Sequence, residues 1–151
     1  MTTELRSITT LYEGDYVAWT ERMAQLMRER KFDQVDWDNV IEEIASLGKT
    51  EKQALESNLI ILLVHLLKWQ YQPSMHCANW KGSIVEHRRR IRKALKNSPS
   101  LKPYLETQLN ECYQDALEQA IAETALAAEQ FPQLLPYPLP DILSPSFLPK
   151  L

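Results

Sequence analysis

Eight of the nine residues 59–67 in "LIILLVHLLKW" are aliphatic, and the ninth is His65. The apolar residues surround a helix on every side, and a helix apolar all round is a buried one. This segment is therefore the expected centre of the fold. It is too short, and too closely followed by Lys68, for a membrane span. At 100° per residue, His65 falls between Ile61 and Trp69, near Asn58, with no polar side to turn towards water. An imidazole in that position needs a hydrogen-bond partner, because leaving one unmade inside a protein costs about 1–3 kcal/mol.

The rest of the chain reads as helix at the same period. A first helix spans about Asp15 to Arg30, capped by Asp15, with Tyr16, Trp19, Met23, Leu26 and Met27 on one face. A second opens at Asp36, carries Trp37, Val40, Ile41, Ile44 and Leu47 as its stripe, and meets Gly48, a good residue to end a helix. A third runs from Thr50 to about Tyr71 and stops at Pro73. A second reading makes these two helices one, continuous through Gly48. A fourth covers about Asn79 to Lys96, and a fifth about Pro103 to Gln130, where proline suits a first turn. Only three glycines occur in 151 residues, which speaks against β-rich or glycine-loop folds. No strand pattern and no internal repeat is visible. The expected fold is all-α: a single domain over residues 1–151, with a bundle of about five helices over 11–130.

Residues 131–151 differ. "FPQLLPYPLPDILSPSFLP" is rich in proline, which rules out a long helix. It is also rich in leucine, phenylalanine, tyrosine and isoleucine, which rules out a loose linker. This tail is expected to pack on the helices or on a second subunit.

Helical phase also picks out polar residues on apolar faces. His87 falls inside the stripe Trp80, Ile84 and Ile91 of the fourth helix, with Arg88 at its edge. Glu123 projects from the inner face of the fifth helix beside Thr124. Glu43 flanks Val40 and Leu47. Buried charges are costly unless paired, so His65, His87, Glu123, Glu43 and Arg88 are expected to satisfy one another. For His65 the expected partners are Glu123, His87 and Glu43, in that order. Such a network fixes helix register and needs no cofactor. The alternative is a divalent metal site on His65, His87, Glu43 and Glu123, which would support a metal-dependent hydrolase. The residues lack the Glu-x-x-His pairs of di-iron bundles and the HExxH pair of zinc proteases.

"HRRRIRK", residues 87–93, is basic. Net charge is −3 and no aromatic residues interleave, so the run reads as a solvated face balanced by acids of other helices, without nucleic acid. Cys77 and Cys112 have no CxxC spacing, and Cys112 reads as a packed core thiol. "MTTELRSITT" has no apolar leader segment. A cytoplasmic protein is the expectation. Trp19, Trp37, Trp69 and Trp80 read as core anchors.

In order along the chain, "LYEGDYVAWT", "DWDNVIEEIASLG", "HLLKWQYQP", "NWKGSIVEHRRRI", "NSPSLKPYL" and "AIAETAL" resemble the domain of unknown function 29 family, which is bacterial and abundant in cyanobacteria. The likeness covers about Leu11 to Leu148. It rests on Asp15, Trp19, Trp37, Glu43, Leu47, Gly48, His65, Lys68, Trp69, Trp80, Arg88, Ser98, Pro99, Ser100, Tyr113, Glu123 and Thr124. The family usually has serine where this chain has Asn79, which is expected to cap in its place. The resemblance implies an all-α fold and no particular activity. The expected role is a non-enzymatic protein-interaction or regulatory module that binds a protein partner or a second copy of itself.

Overall fold

The computed structural model describes residues 2–151, and the side chains of all of these except 2–6 and 9. Among the described residues there are six α-helices and no strand: α1 (Thr2–Gly14), α2 (Tyr16–Arg28), α3 (Trp37–Tyr71), α4 (Ala78–Asn97), α5 (Leu101–Thr124) and α6 (Leu139–Leu143). The all-α fold with a docked proline-rich tail is as the sequence predicts. The helix α1 was not foreseen.

Local chemistry explains most boundaries. Asp15 caps α2 by accepting the Ala18 N–H at 3.1 Å. The second and third expected helices are one: α3 passes through Gly48, which has no positive φ. Thr50 lies inside that helix and donates to the Ser46 carbonyl at 2.8 Å, so it is no cap. Cys77, not Asn79, precedes the first residue of α4, and its side chain makes no capping bond. Pro103 lies in the first turn of α5, as expected. That helix ends at Ala125, which adopts φ 56°, so α5 stops short of Gln130.

The chain divides into two compact units, residues 1–50 and 51–151. In the first, Ile8, Trp19, Met23, Leu26, Val35 and Val40 form the core. The buried Asp36 anchors it, accepting from the Trp19 indole at 3.2 Å and from Asn39 at 2.8 Å. Here the sequence reading needs a correction. Tyr16 and Trp37 are not core residues: Tyr16 is exposed, and Trp37, Ile41, Ile44 and Leu47 are 45%, 60%, 65% and 68% exposed.

In the second unit, Leu55 to Leu67 of α3 meet Ile84 and Ile91 of α4, Leu105, Tyr113, Ala116 and Ala120 of α5, and Phe131, Tyr137 and Ile142 of the tail. Tail carbonyls find donors on the helices. Tyr113 donates to Pro132 at 2.5 Å, Gln114 to Gln133 at 3.1 Å, and Arg88 to both Ile142 and Phe147. Tyr137 returns the favour, donating to Gln70 at 2.6 Å. The irregular backbone is thus satisfied without a ladder of its own.

Candidate functional site

The polar side chains picked out by helical phase fall into three places. His65 and His87 come together in the second unit, joined by Ser83. The Ser83 hydroxyl lies 3.2 Å from His87 Nδ1 and 3.5 Å from His65 Nδ1. Each ring is committed elsewhere. His65 Nδ1 lies 2.8 Å from the Ile61 carbonyl, and His87 Nδ1 lies 2.8 Å from the Ser83 carbonyl. A carbonyl only accepts, so both Nδ1 atoms carry the proton and both Nε2 atoms carry the lone pair in the neutral ring. An Nδ1 that holds its proton cannot take one from Ser83. The arrangement is therefore no nucleophile–base pair.

His65 is half-buried, and burial pulls its pKa below the ordinary histidine value, opposed by the bond to Ile61. Its partner is a carbonyl of its own helix, not the expected side chain. Glu123 stands near enough to be felt by the ring but bonds elsewhere, in an ion pair with Lys68 and as acceptor from Gln119 at 2.9 Å. Those hydrogen bonds hold its carboxyl below the usual range. The Lys68 ammonium also sits 5.7 Å from the Trp80 ring centroid. Glu123 pairs with Lys68 rather than with His65, whose burial works against charge on its imidazole.

Arg88 and Glu43 do not join this cluster. Arg88 is only 3% exposed, and it donates from Nε to the Ile142 carbonyl at 2.8 Å and from Nη2 to the Phe147 carbonyl at 3.0 Å. It clamps the tail. Glu43 belongs to the first unit, where it accepts from Tyr12 at 2.5 Å and Tyr16 at 2.6 Å. These bonds lower the pKa of Glu43 and push Tyr12 up to about 12. Tyr12 in turn packs edge-on to Trp19, centroids 4.6 Å apart, so Glu43 ties α3 to an aromatic cluster.

Phase alone missed Ser83, Lys68 and Gln119. The signals were present. Ser83 lies one turn before His87, Lys68 lies one turn after His65, and Gln119 lies one turn before Glu123. Among the described residues, no three His, Cys, Asp or Glu side chains come together as a metal ligand set.

The stripe on the first half of α3 is the other candidate. Trp37, Ile41 and Ile44 follow at steps of four and three, with Leu47 beside them and Gly48 next in the series. The Trp37 indole N–H donates to the Phe32 carbonyl at 2.9 Å, which holds the exposed ring in one orientation. A Cβ built on Gly48 meets nothing within 4 Å, so that end of the stripe is open.

Residues 11–148 match the family described as Domain of unknown function DUF29. The chain belongs to that family. No curated protein and no solved structure matches it. The residues that carry the likeness to the DUF29 family fall on each of these features. His65, Lys68 and Glu123 lie in the polar cluster, Arg88 is the tail clamp, and Trp37, Leu47 and Gly48 lie on the open stripe. Among the described residues, no helix is long and apolar enough to cross a membrane.

Proposed function

We propose that this DUF29 chain is a non-enzymatic protein-interaction module of the bacterial cytoplasm, and that its partner is a second copy of itself. The observation that carries this reading is the exposed apolar stripe of α3. Single exposed apolar residues need no explanation, but a contiguous set on one helix face marks an interaction surface. A helix stripe pairs with another helix, and this one is self-complementary. In an antiparallel two-fold pairing centred between Ile41 and Ile44, each Ile41 meets the partner's Ile44. Each Trp37 then meets the partner's Gly48, where the missing side chain leaves room for an indole. The same patch on both copies is what a closed dimer requires. The bond from Trp37 to Phe32 fixes the ring before contact and lowers the entropy lost on binding.

Light scattering on the purified chain tests this. A dimer is expected at micromolar concentration, and Ile44→Glu is expected to give a monomer with an unchanged circular dichroism spectrum. A monomeric parent protein would overturn the self-pairing.

A metal-dependent hydrolase is the weaker reading. It draws on the two Nε2 lone pairs of His65 and His87, but it needs a third ligand, and Glu123, the carboxylate whose charge acts on the His65 ring, is held by Lys68. Elemental analysis of the purified protein tests it, since stoichiometric zinc, iron or manganese would favour the enzyme.

A further inference from the structure

The basic run of α4 has a property that a solvated, balanced face would lack. Among the described residues, Arg88, Arg92, Lys93 and Lys96 make no salt bridge, and Arg89 reaches only Glu86 at 3.6 Å. These five side chains line one groove of about 450 Å³ together with Val85 and Pro145, and among the described residues no carboxylate shares the lining. The chain as a whole carries more acids than bases, so the absence of acids is not forced by composition. Spaced three and four residues apart, the five cations repel one another along the helix. The helix dipole accounts for Lys93 and Lys96 near the C-terminal end of α4, since cations are favoured there. It does not account for Arg88, Arg89 and Arg92, which lie further in. Arg88 is moreover buried, with no acid paired to it among the described residues, and burial and the neighbouring Arg92 both act against its charge. An anion in the groove would relieve all of these contacts at once.

We infer that the groove between α4 and the tail at Pro145 is a seat for a small organic polyphosphate. Arginine guanidinium groups recognise phosphate oxygens with paired N–H donors, and lysines add point charges. From Arg89 to Lys96 the helix rises about 10 Å, a length that suits a short polyphosphate chain. Val85, Pro145 and the arginine stems form an apolar wall for an organic moiety, and the groove volume falls in the range of small-molecule sites. An extended nucleic acid fits less well, because about 10 Å of track engages only about three phosphates of a strand. The seat also depends on the tail. Pro145 lies between the two residues, Ile142 and Phe147, whose carbonyls Arg88 holds.

Calorimetric titration of the full chain at low salt, without magnesium, tests the inference with adenosine triphosphate, tripolyphosphate and inorganic phosphate as probes. Affinity is expected to fall in that order. Arg92→Gln with Lys93→Gln changes exposed side chains and is expected to weaken triphosphate binding at least tenfold, with the melting temperature unchanged. Lys49→Gln with Lys102→Gln removes the same charge outside the groove and is expected to keep affinity within twofold. Four results would each overturn the proposal: no binding at millimolar triphosphate, equal loss in both double variants, tripolyphosphate binding as tightly as the nucleotide, or a twenty-base single strand binding more tightly than the nucleotide.

Discussion

The two halves of α3 carry the same kind of apolar pattern and meet opposite fates. Trp37, Ile41, Ile44 and Gly48 continue at helical steps towards Leu55, Leu59, Leu62 and Leu66. The later residues are buried, while the three large side chains of the earlier set are exposed. The difference lies in what the rest of each unit supplies. In the second unit α4, α5 and the tail bring apolar residues against α3. In the first unit the core against α3 is built on Val40 and leaves the Ile41 and Ile44 side uncovered. Periodicity thus states which face of a helix is apolar. It does not state whether the chain itself provides the cover, and an apolar face without cover is a surface for a partner.

The most severe way to break the comparison is to strip the cover from the second half. Deleting residues 131–151 removes Phe131, Tyr137 and Ile142, and it leaves the Arg88 charge without its acceptors. Each buried apolar side chain of this kind contributes about 1.5–3 kcal/mol, and a stranded buried charge adds to the loss. Typical domains hold only about 5–15 kcal/mol in total. The truncated chain is expected to aggregate or to lose its cooperative melting transition. A calorimetric scan with an unchanged melting temperature would show that the tail is not what closes the second unit.

A direct substitution on each half sharpens the contrast. Leu62→Ala opens a cavity in a fully buried site and is expected to cost about 2–5 kcal/mol. Ile44→Ala, in dilute protein, is expected to stay within about 0.5 kcal/mol of the parent, as surface changes do. Urea unfolding of the two variants gives both numbers. Equal losses would mean that the stripe is covered in solution even without a partner.

Most of the fold was legible in the sequence, and the reasons are particular. The run from Leu59 to Leu67 has no polar side, so its central place followed. The tail is too apolar to be left in water, so its docking followed. Asp15 caps because only a short acceptor side chain suits that position. Three matters were not legible. Gly48 supports either a helix end or a continuous helix, since glycine costs only about 1 kcal/mol in a helix interior and neighbouring packing decides. The partners of Arg88 and His65 are backbone carbonyls, which carry no signature in residue type. The choice of Glu123 between His65 and Lys68 is a competition between two donors one turn apart on α3. Of the two, helical phase picked out only His65, and Lys68 lay outside the polar set it selected.

The smallest expected effect concerns His65, and it probes whether the second half of α3 tolerates charge at all. Burial depresses the pKa of its imidazole in the folded chain, while the unfolded chain keeps a value near 6.5. Between the two values the unfolded state binds more protons, so stability falls as pH falls. The contribution is fully present above about pH 6.5 and is lost as pH drops towards the folded value. Lys68 and His87 act in the same direction on the ring, and Glu123 acts against them. The depressed pKa of Glu123 has the same sign but belongs to a lower window, below its ordinary value of 4.5. His65→Leu removes the titration while keeping an apolar side chain of similar bulk, and the Ile61 carbonyl that loses the imidazole remains in the helix. Melting temperatures of the parent and of His65→Leu, compared from pH 8 to pH 5, isolate the effect. The parent is expected to lose stability relative to the variant below about pH 6.5, by less than either effect above. Parallel curves would mean that the imidazole is as well solvated folded as unfolded, and that the greasy face around it opens to water.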